Sequence, residues 1–473
     1  MNGLLSALFV LLTAVNAQRE PWITPLEGVS VEPTRQVRHE QDFGPDSAYR
    51  LLTQANQLPT DNDLTDGWTL LIERFHEYPW PSELPAPGAD SPWTAEDFAK
   101  IHLLLGDAAG NLKLARRAAA APDPQVPTLE GLQAPIGYLA PSRETARLIL
   151  VSAYVMAGEG RYNEAFDELF VGIRFGNILS RGGSLINHLV DMAISRMNTE
   201  AMWRIATRHD LPPEDMVRAA RQLLELEAKA EPISEAMRCE AHAALSASLF
   251  ELQASGTAGT GAATWLKATL LGLLCGSDSK AIRRDLVSTY QHAVVEVGKP
   301  CSAPLSPELQ ALTRRSRGLA PMLSYRDPIG HALASMLVPP VLGVRQSAAE
   351  RSAVMRGTAL FLAIRAYEVD HAAPPIELQD LVPKYLPSLP VDPFDGKPFR
   401  YVVGDVPEEW RPSEWGVYSI GRNGTDDGGL ANRCVSTRYG KPLGGYSPDI
   451  VWLPFPFPRV KQAEEKREEL FGN

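Results

Sequence analysis

Along most of this chain apolar residues recur at the three- and four-residue intervals that line one face of an α-helix, and only near the end does the pattern shorten to strand-like alternation. The stretch SPWTAEDFAKIHLLLGDAAGNLKLARRAAAA, residues 91–121, reads as a helix with both ends marked: Ser91 or Thr94 as cap, acids in the first turn, and Arg116 and Arg117 near the end. Residues 143–176, 184–208 and 213–230 follow the same logic, and Pro212 and Pro213 part the last two because proline breaks a helix interior. A longer helix is expected from about residue 328, disturbed at Pro339-Pro340, with Leu360, Ala363, Ile364 and Tyr367 along one face. A short helix and a proline-rich turn follow in IELQDLVPKYLPSLPVDP. PFRYVV (398–403) and WGVYSI (415–420) then collect aromatic and β-branched residues between Gly and Asp turns, which predicts strands.

These elements predict a mainly α N-terminal helical domain followed by a small α+β module, in which a long helix packs on a short antiparallel sheet. The expected division is a signal peptide (1–17), an extended, polar lead-in (18–45), the helical domain (46–322), the α+β module (323–458) and a charged tail (459–473). Residues 254–264, ASGTAGTGAAT, read as a flexible link; as a phosphate cradle they lack the following Gly-Lys-Ser/Thr. Within the helical domain AYVMAGEGRYNEAFDELFVG (153–172) resembles one tetratricopeptide hairpin, with small Ala153, Ala165 and Gly172 where helices approach and a turn at Gly160-x-Tyr162. No second copy follows at that period, so a plain hairpin in a bundle is the competing reading.

Composition narrows the function. A formal net charge of -11 and a pI near 5.4 argue against nucleic-acid binding, which needs a basic face. The tight basic cluster Arg314, Arg315 and Arg317 reads as a solvated loop. LLSALFVLLTAV (4–15) has signal-peptide length, and Val15-Asn16-Ala17 places small residues for cleavage after Ala17, so export to the periplasm, envelope or exterior is expected with no transmembrane span in the mature chain. Cys239, Cys275, Cys301 and Cys434 show no C-x-x-C spacing, which argues against a zinc knuckle and leaves open either a disulfide or separate small buried side chains.

The C-terminal motifs AYEVDHAAPPIELQDLVPKYLPSLPVDP, DGKPFRY, VYSIGRNGTDDGG and PDI, in that order, resemble the soluble domain of the major pseudopilins of type II secretion and related type IV pilin-like proteins. The resemblance covers the last quarter to third of the chain. It implies a pseudopilin-like α+β module closed by an acidic loop that in the family binds calcium. Carried onto this sequence, Asp426 and Asp427 fall in that loop, Asp449 matches its terminal Asp-Ile, and Asn423 joins them as candidate ligands. Calcium prefers several hard oxygens, which Asp, Asn and Gly turns supply. The competing reading is a hairpin turn at Asn423-Gly424 with solvated acids beside Gly428-Gly429. Two departures stand out. The turn Asp392-Pro393-Phe394-Asp395-Gly396 is one residue longer than the family's, and residues 430–447 are inserted before Asp449.

The pilin N-terminal processing site and exposed polymerising helix have no counterpart here, so polymerisation into a pilus is not expected. Gly-x-Ser-x-Gly and His-Glu-x-x-His are missing from the sequence, and Glu73, His76 and Glu77 read as a solvated helix face. The expected function is therefore an exported, non-enzymatic envelope protein whose helical domain makes protein contacts. A hydrolase with dispersed catalytic residues and a helical repeat adaptor are the alternatives.

Overall fold

The computed structural model describes residues 23–57, 95–131, 136–208, 211–246, 279–313, 341–429 and 449–454. Outside these lie the signal segment, Glu73, His76, Glu77, the link 254–264, Cys275, Arg314, Arg315, Arg317, the expected boundary at 323, the insertion with Cys434 and the charged tail. The protein is mainly helical with one small three-stranded antiparallel sheet. The described α-helices are α1 (Ala48–Ala55), α2 (Ala95–Asp107), α3 (Ala109–Ala120), α4 (Leu139–Gly158), α5 (Tyr162–Ser180), α6 (Leu185–Arg208), α7 (Pro213–Ala228), α8 (Ile233–Ser246), α9 (Ser279–Val297), α10 (Pro307–Thr313) and α11 (Val341–His371). Among the described residues no helix is long and apolar enough to cross a membrane.

The single helix expected over 91–121 is two, broken at Ala108, and its basic pair is used for tertiary contacts: Arg116 meets Glu168 of α5 at 2.8 Å and Arg117 meets Asp46 at 2.8 Å. Pro213 opens α7, where a missing N–H costs nothing. α4 and α5 form the expected hairpin, turned at Gly160 with φ +78°. Gly172 serves a different neighbour from the one its place in a hairpin suggests, because a Cβ there would fall 2.3 Å from Asn198 Oδ1 of α6. The lead-in is extended but not loose. Thr34 donates its N–H and its hydroxyl to Glu235, and Arg35 forks onto Glu231, so residues 34 and 35 are tied to the start of α8 and the turn before it.

α11 starts directly after Pro339-Pro340, and its apolar surface is wider than one face. Besides Leu360, Ala363 and Ile364, Phe361 and Leu362 are wholly buried. A helix apolar all round must be covered all round. α6 and α7 cover one side, and β2 (Trp415–Ser419) and β3 (Ile450–Trp452) cover the other, with β1 (Arg400–Val403) pairing antiparallel to β2. Aromatic rings tie the layers. Trp203 of α6 meets Phe361 edge-on at 6.4 Å, Phe361 packs on Trp415 at 5.6 Å, and Trp452 Nε1 donates to Thr358 Oγ1 at 3.1 Å. One hydrophobic core runs from α1 through α7 and α11 to β3, and a second joins α8, α9 and α10 to the start of α11.

Close packing at Gly357 gives a direct test. Alanine there would gain up to about 1 kcal/mol of helix propensity, but its Cβ would sit 2.3–2.5 Å from the indole carbons of Trp452. Overpacking of that kind costs about 1–3 kcal/mol, so Gly357→Ala is expected to lower stability despite the better helix former. Urea unfolding of the full chain checks the sign.

Candidate functional site

The candidate site is built by the turn before β1 and the loop after β2. In the turn, Asp392 has a wholly buried side chain. Its Oδ1 accepts from Phe394 N–H and the Ser419 hydroxyl, each at 3.0 Å, and its Oδ2 accepts from Ile420 N–H at 3.0 Å. The turn closes as Gly396 N–H donates to Asp392 O at 2.8 Å, with Gly396 at φ +75°, a conformation that favours glycine. The Asp-Pro turn is therefore a bracket that fixes the start of β1 to the end of β2.

Arg400 of β1 reads the charge of both segments. Its guanidinium donates to Asp392 Oδ2 at 3.1 Å, Asp395 Oδ2 at 2.6 Å and Asp426 Oδ2 at 3.3 Å. Burial alone would lower the Arg400 pKa, but the Asp395 hydrogen bond and the charges of Asp395, Asp392 and Asp426 outweigh it and hold the group above its ordinary value. Asp395, the acid of the lengthened turn, is part of this clamp. Burial works to raise its carboxyl, and Arg400 together with the Lys397 N–H overcomes this and lowers it. Asp426 is committed as well. Its Oδ1 accepts the Tyr418 hydroxyl at 3.0 Å and Gly428 N–H at 3.1 Å. Those bonds and Arg400 hold its pKa low against the opposing effect of burial.

The remaining candidates converge. Asp449, just before β3, is 3 % exposed; its Oδ2 accepts Asp427 N–H at 3.1 Å and Gly429 N–H at 2.8 Å. Asn423 Nδ2 donates to Asp427 Oδ2 at 2.7 Å while its Oδ1 accepts Thr425 N–H. The loop end is pressed against Trp410, whose Nε1 donates to Gly429 O at 2.8 Å; a Cβ at Gly429 would fall 2.2 Å from that indole. So Asn423, Asp427 and Asp449 come together across the insertion, while Asp426 stands beside them turned toward Arg400. Among the described residues no three His, Cys, Asp or Glu side chains gather closely enough to hold a metal ion. The donors still suit calcium in kind. They are hard oxygens, and Asp449 Oδ1 is buried without a hydrogen-bond partner among the described residues. Burial pushes the Asp449 carboxyl up to about 6, opposed by the Gly429 N–H and reinforced by the charges of Asp427 and Asp426.

Sequence reasoning passed over Arg400 and Tyr418, and named Asp392 only as part of a turn. Arg400 and Tyr418 are directly paired in the β1–β2 register, a signal that appears only once the register is known. Of the cysteines, Cys239 and Cys301 are free thiols, and burial pushes Cys239 up to about 12, which makes it an inert core side chain.

Two outcomes follow. Arg400→Met leaves Asp392 buried with an uncompensated charge and is expected to cost about 3–5 kcal/mol, measured by chemical unfolding. At Asp449 the folded pKa lies above its unfolded value of 3.8. The ionised carboxylate therefore weakens the fold above about pH 6, and that cost is relieved as pH falls toward the unfolded value. In chelator, Asp449→Asn should melt about 1–3 °C higher than the unaltered chain near neutral pH. The advantage should vanish by about pH 4; an advantage independent of pH would contradict the assignment.

Set beside known proteins, the chain matches no protein-family model, no curated protein and no solved structure.

Proposed function

We propose that this chain is an exported, non-catalytic cell-envelope protein, in which a helical domain for protein contacts carries a pseudopilin-like module whose acidic loop is ordered by calcium. The observation that carries the reading is the closure of loop 421–429 on Asp449, with one buried carboxylate oxygen that has no hydrogen-bond partner among the described residues. The order of a long helix, the Asp392 turn, an antiparallel strand pair and a final Asp-Ile agrees with the pseudopilin resemblance. The helix that would polymerise in a pilin lies here within the chain, packed against α6 and α7. That placement supports a borrowed fold put to a use other than pilus assembly.

In this reading Asp427 and Asp449 supply carboxylate oxygens and Asn423 a side-chain carbonyl, and Asp426 contributes charge while held by Arg400. A divalent cation supplies the positive charge that the buried Asp449 and its acidic neighbours lack, and it ties the loop to β3. Magnesium substitutes poorly because it demands smaller octahedral geometry.

Extracellular calcium modules bind with dissociation constants of about 10⁻⁴ to 10⁻³ M. Free calcium at about ten times that value should add roughly 1.4 kcal/mol to the folded state. The full chain is melted in chelator, calcium and magnesium, beside Asp449→Asn. Calcium is expected to raise the midpoint of the unaltered chain above that of the variant, reversing their order in chelator. Equal midpoints for the unaltered chain in all three solutions would reject the ion.

A further inference from the structure

α6 turns a run of polar residues toward the interior. Asn187, His188, Asp191, Ser195, Asn198 and Thr199 are all buried, and their three- and four-residue spacing stacks them along the helix. Part of this stripe meets α5 at a glycine, since a Cβ at Gly176 would come within 3.0 Å of Asp191 Oδ1. α11 sends Arg351 into the same place. Its Nη2 donates to Asn177 Oδ1 of α5 at 2.8 Å and lies 3.4 Å from Ser195 Oγ and 3.8 Å from Asp191 Oδ2. Asp191 Oδ1 accepts the Ser195 hydroxyl at 3.1 Å. α5, α6 and α11 thus meet through a buried charge pair.

His188 stands nearly one helical turn before Asp191, is 2 % exposed, and has neither ring nitrogen hydrogen-bonded among the described residues. Arg351 Nε is likewise buried without a partner there. Packed apolar residues would often be as stable as such an ion pair or more so, and in a low-dielectric interior a partly satisfied network responds strongly to one added proton. The charged groups around His188 come from several elements. Asp191 lies on α6, Arg351 on α11 and Glu231 between α7 and α8, while Glu231 is itself paired with Arg35 of the lead-in and stands 3.9 Å from Arg181 after α5. Glu240 of α8 accepts the N–H of Leu185 at the start of α6. Burial dominates and lowers the imidazole pKa; Asp191 and Glu231 oppose it, and Arg351 acts with it. His188 is therefore neutral in the folded chain at neutral pH.

We propose that His188, Asp191 and Arg351 form an acid-released lock between α6 and α11. A proton taken from solvent by the His188 imidazole creates a second cation beside the Asp191 carboxylate. Arg351 then shares that carboxylate with the imidazolium, and its own positive charge faces it. The grip of α11 on α5 and α6 loosens, and because β2 and β3 pack on α11 the change reaches the strand module. The sign follows from linkage. Above the ordinary imidazole value of about 6.5 both folded and unfolded chains hold His188 neutral and the lock is intact. Below it the unfolded chain takes the proton first, and stability is lost progressively down to the lower folded pKa.

The test uses the full chain, His188→Gln, which keeps a polar side chain but cannot take the proton, and Arg351→Met. Melting and hydrogen exchange of residues 341–371 are compared at about pH 7.5 and about pH 5.5. The midpoint of the unaltered chain should fall about 2–4 °C further than that of His188→Gln. After correction for intrinsic exchange, its α11 protection should fall about tenfold while that of His188→Gln holds. Arg351→Met should show the weakened α11 protection at both pH values. Equal losses in the unaltered chain and His188→Gln would overturn the lock. Should His188→Gln not fold, the imidazole titration followed by NMR in the unaltered chain decides: a value at or above the ordinary one rejects the proposal, and a lower value with coupled shifts of α11 amides supports it.

Discussion

The seam of Trp203, Phe361 and Trp415 holds α11 between a helical layer and a sheet, and the rest of the molecule is arranged to cover the apolar middle of this helix, leaving Leu342 and Val369 near its ends exposed. A 31-residue helix with Phe361, Leu362 and Ile364 buried on different sides cannot rest on one neighbour. It requires α6 and α7 on one flank and the strands on the other. The small sheet is in turn too short to be stable in isolation, and gains its fixed form by lying on α11, with Trp452 filling the space that Gly357 leaves open. Helices α1–α7, α11 and strands β2 and β3 consequently share one core, while α8, α9 and α10 pack around a second one with the start of α11.

Charge is handled differently on the two sides of α11. On the strand side, Arg400 joins the Asp392 turn to the Asp426 loop, so a fixed internal cation already neutralises much of the acidic cluster. Asp449 and Asp427 have no such cation among the described residues, and the Asp449 carboxyl is raised by its burial and by the charges of Asp427 and Asp426. On the helical side, Arg351 enters a polar stripe beside a neutral, buried His188. Both places retain polar groups where apolar ones would pack more cheaply, and in both the groups connect segments far apart in sequence.

Glycines decide how near the helices stand. At Gly172 and Gly176 the side chains of Asn198 and Asp191 occupy the room a Cβ would take, so the polar stripe of α6 lies against the backbone of α5. That approach brings Asn177 within reach of Arg351. The hairpin of α4 and α5 is thus organised around α6 as much as around itself, which is why a motif read from one hairpin alone misjudged the neighbour of Gly172.

The sequence by itself determined the local elements: the breaks at Pro212 and Pro213, the turn at Gly160, and the strands β1 and β2, though not β3. These depend on backbone restrictions and side-chain periodicity within a few residues, which the chain carries wherever it goes. Asn423, Asp426, Asp427 and Asp449 were named together only through the pseudopilin resemblance, as expected ligands. Which of them remains uncommitted was decided only by tertiary structure. Arg400 takes Asp426 because the β1–β2 register sets it opposite Tyr418, and register is a property of paired strands that neither strand states alone. The meeting of His188, Asp191 and Arg351 has the same origin. His188 and Asp191 are visible as neighbours on one helix, but Arg351 arrives from 160 residues further along the chain, and the path that brings it there is fixed by the burial of α11 and not by any pattern near it.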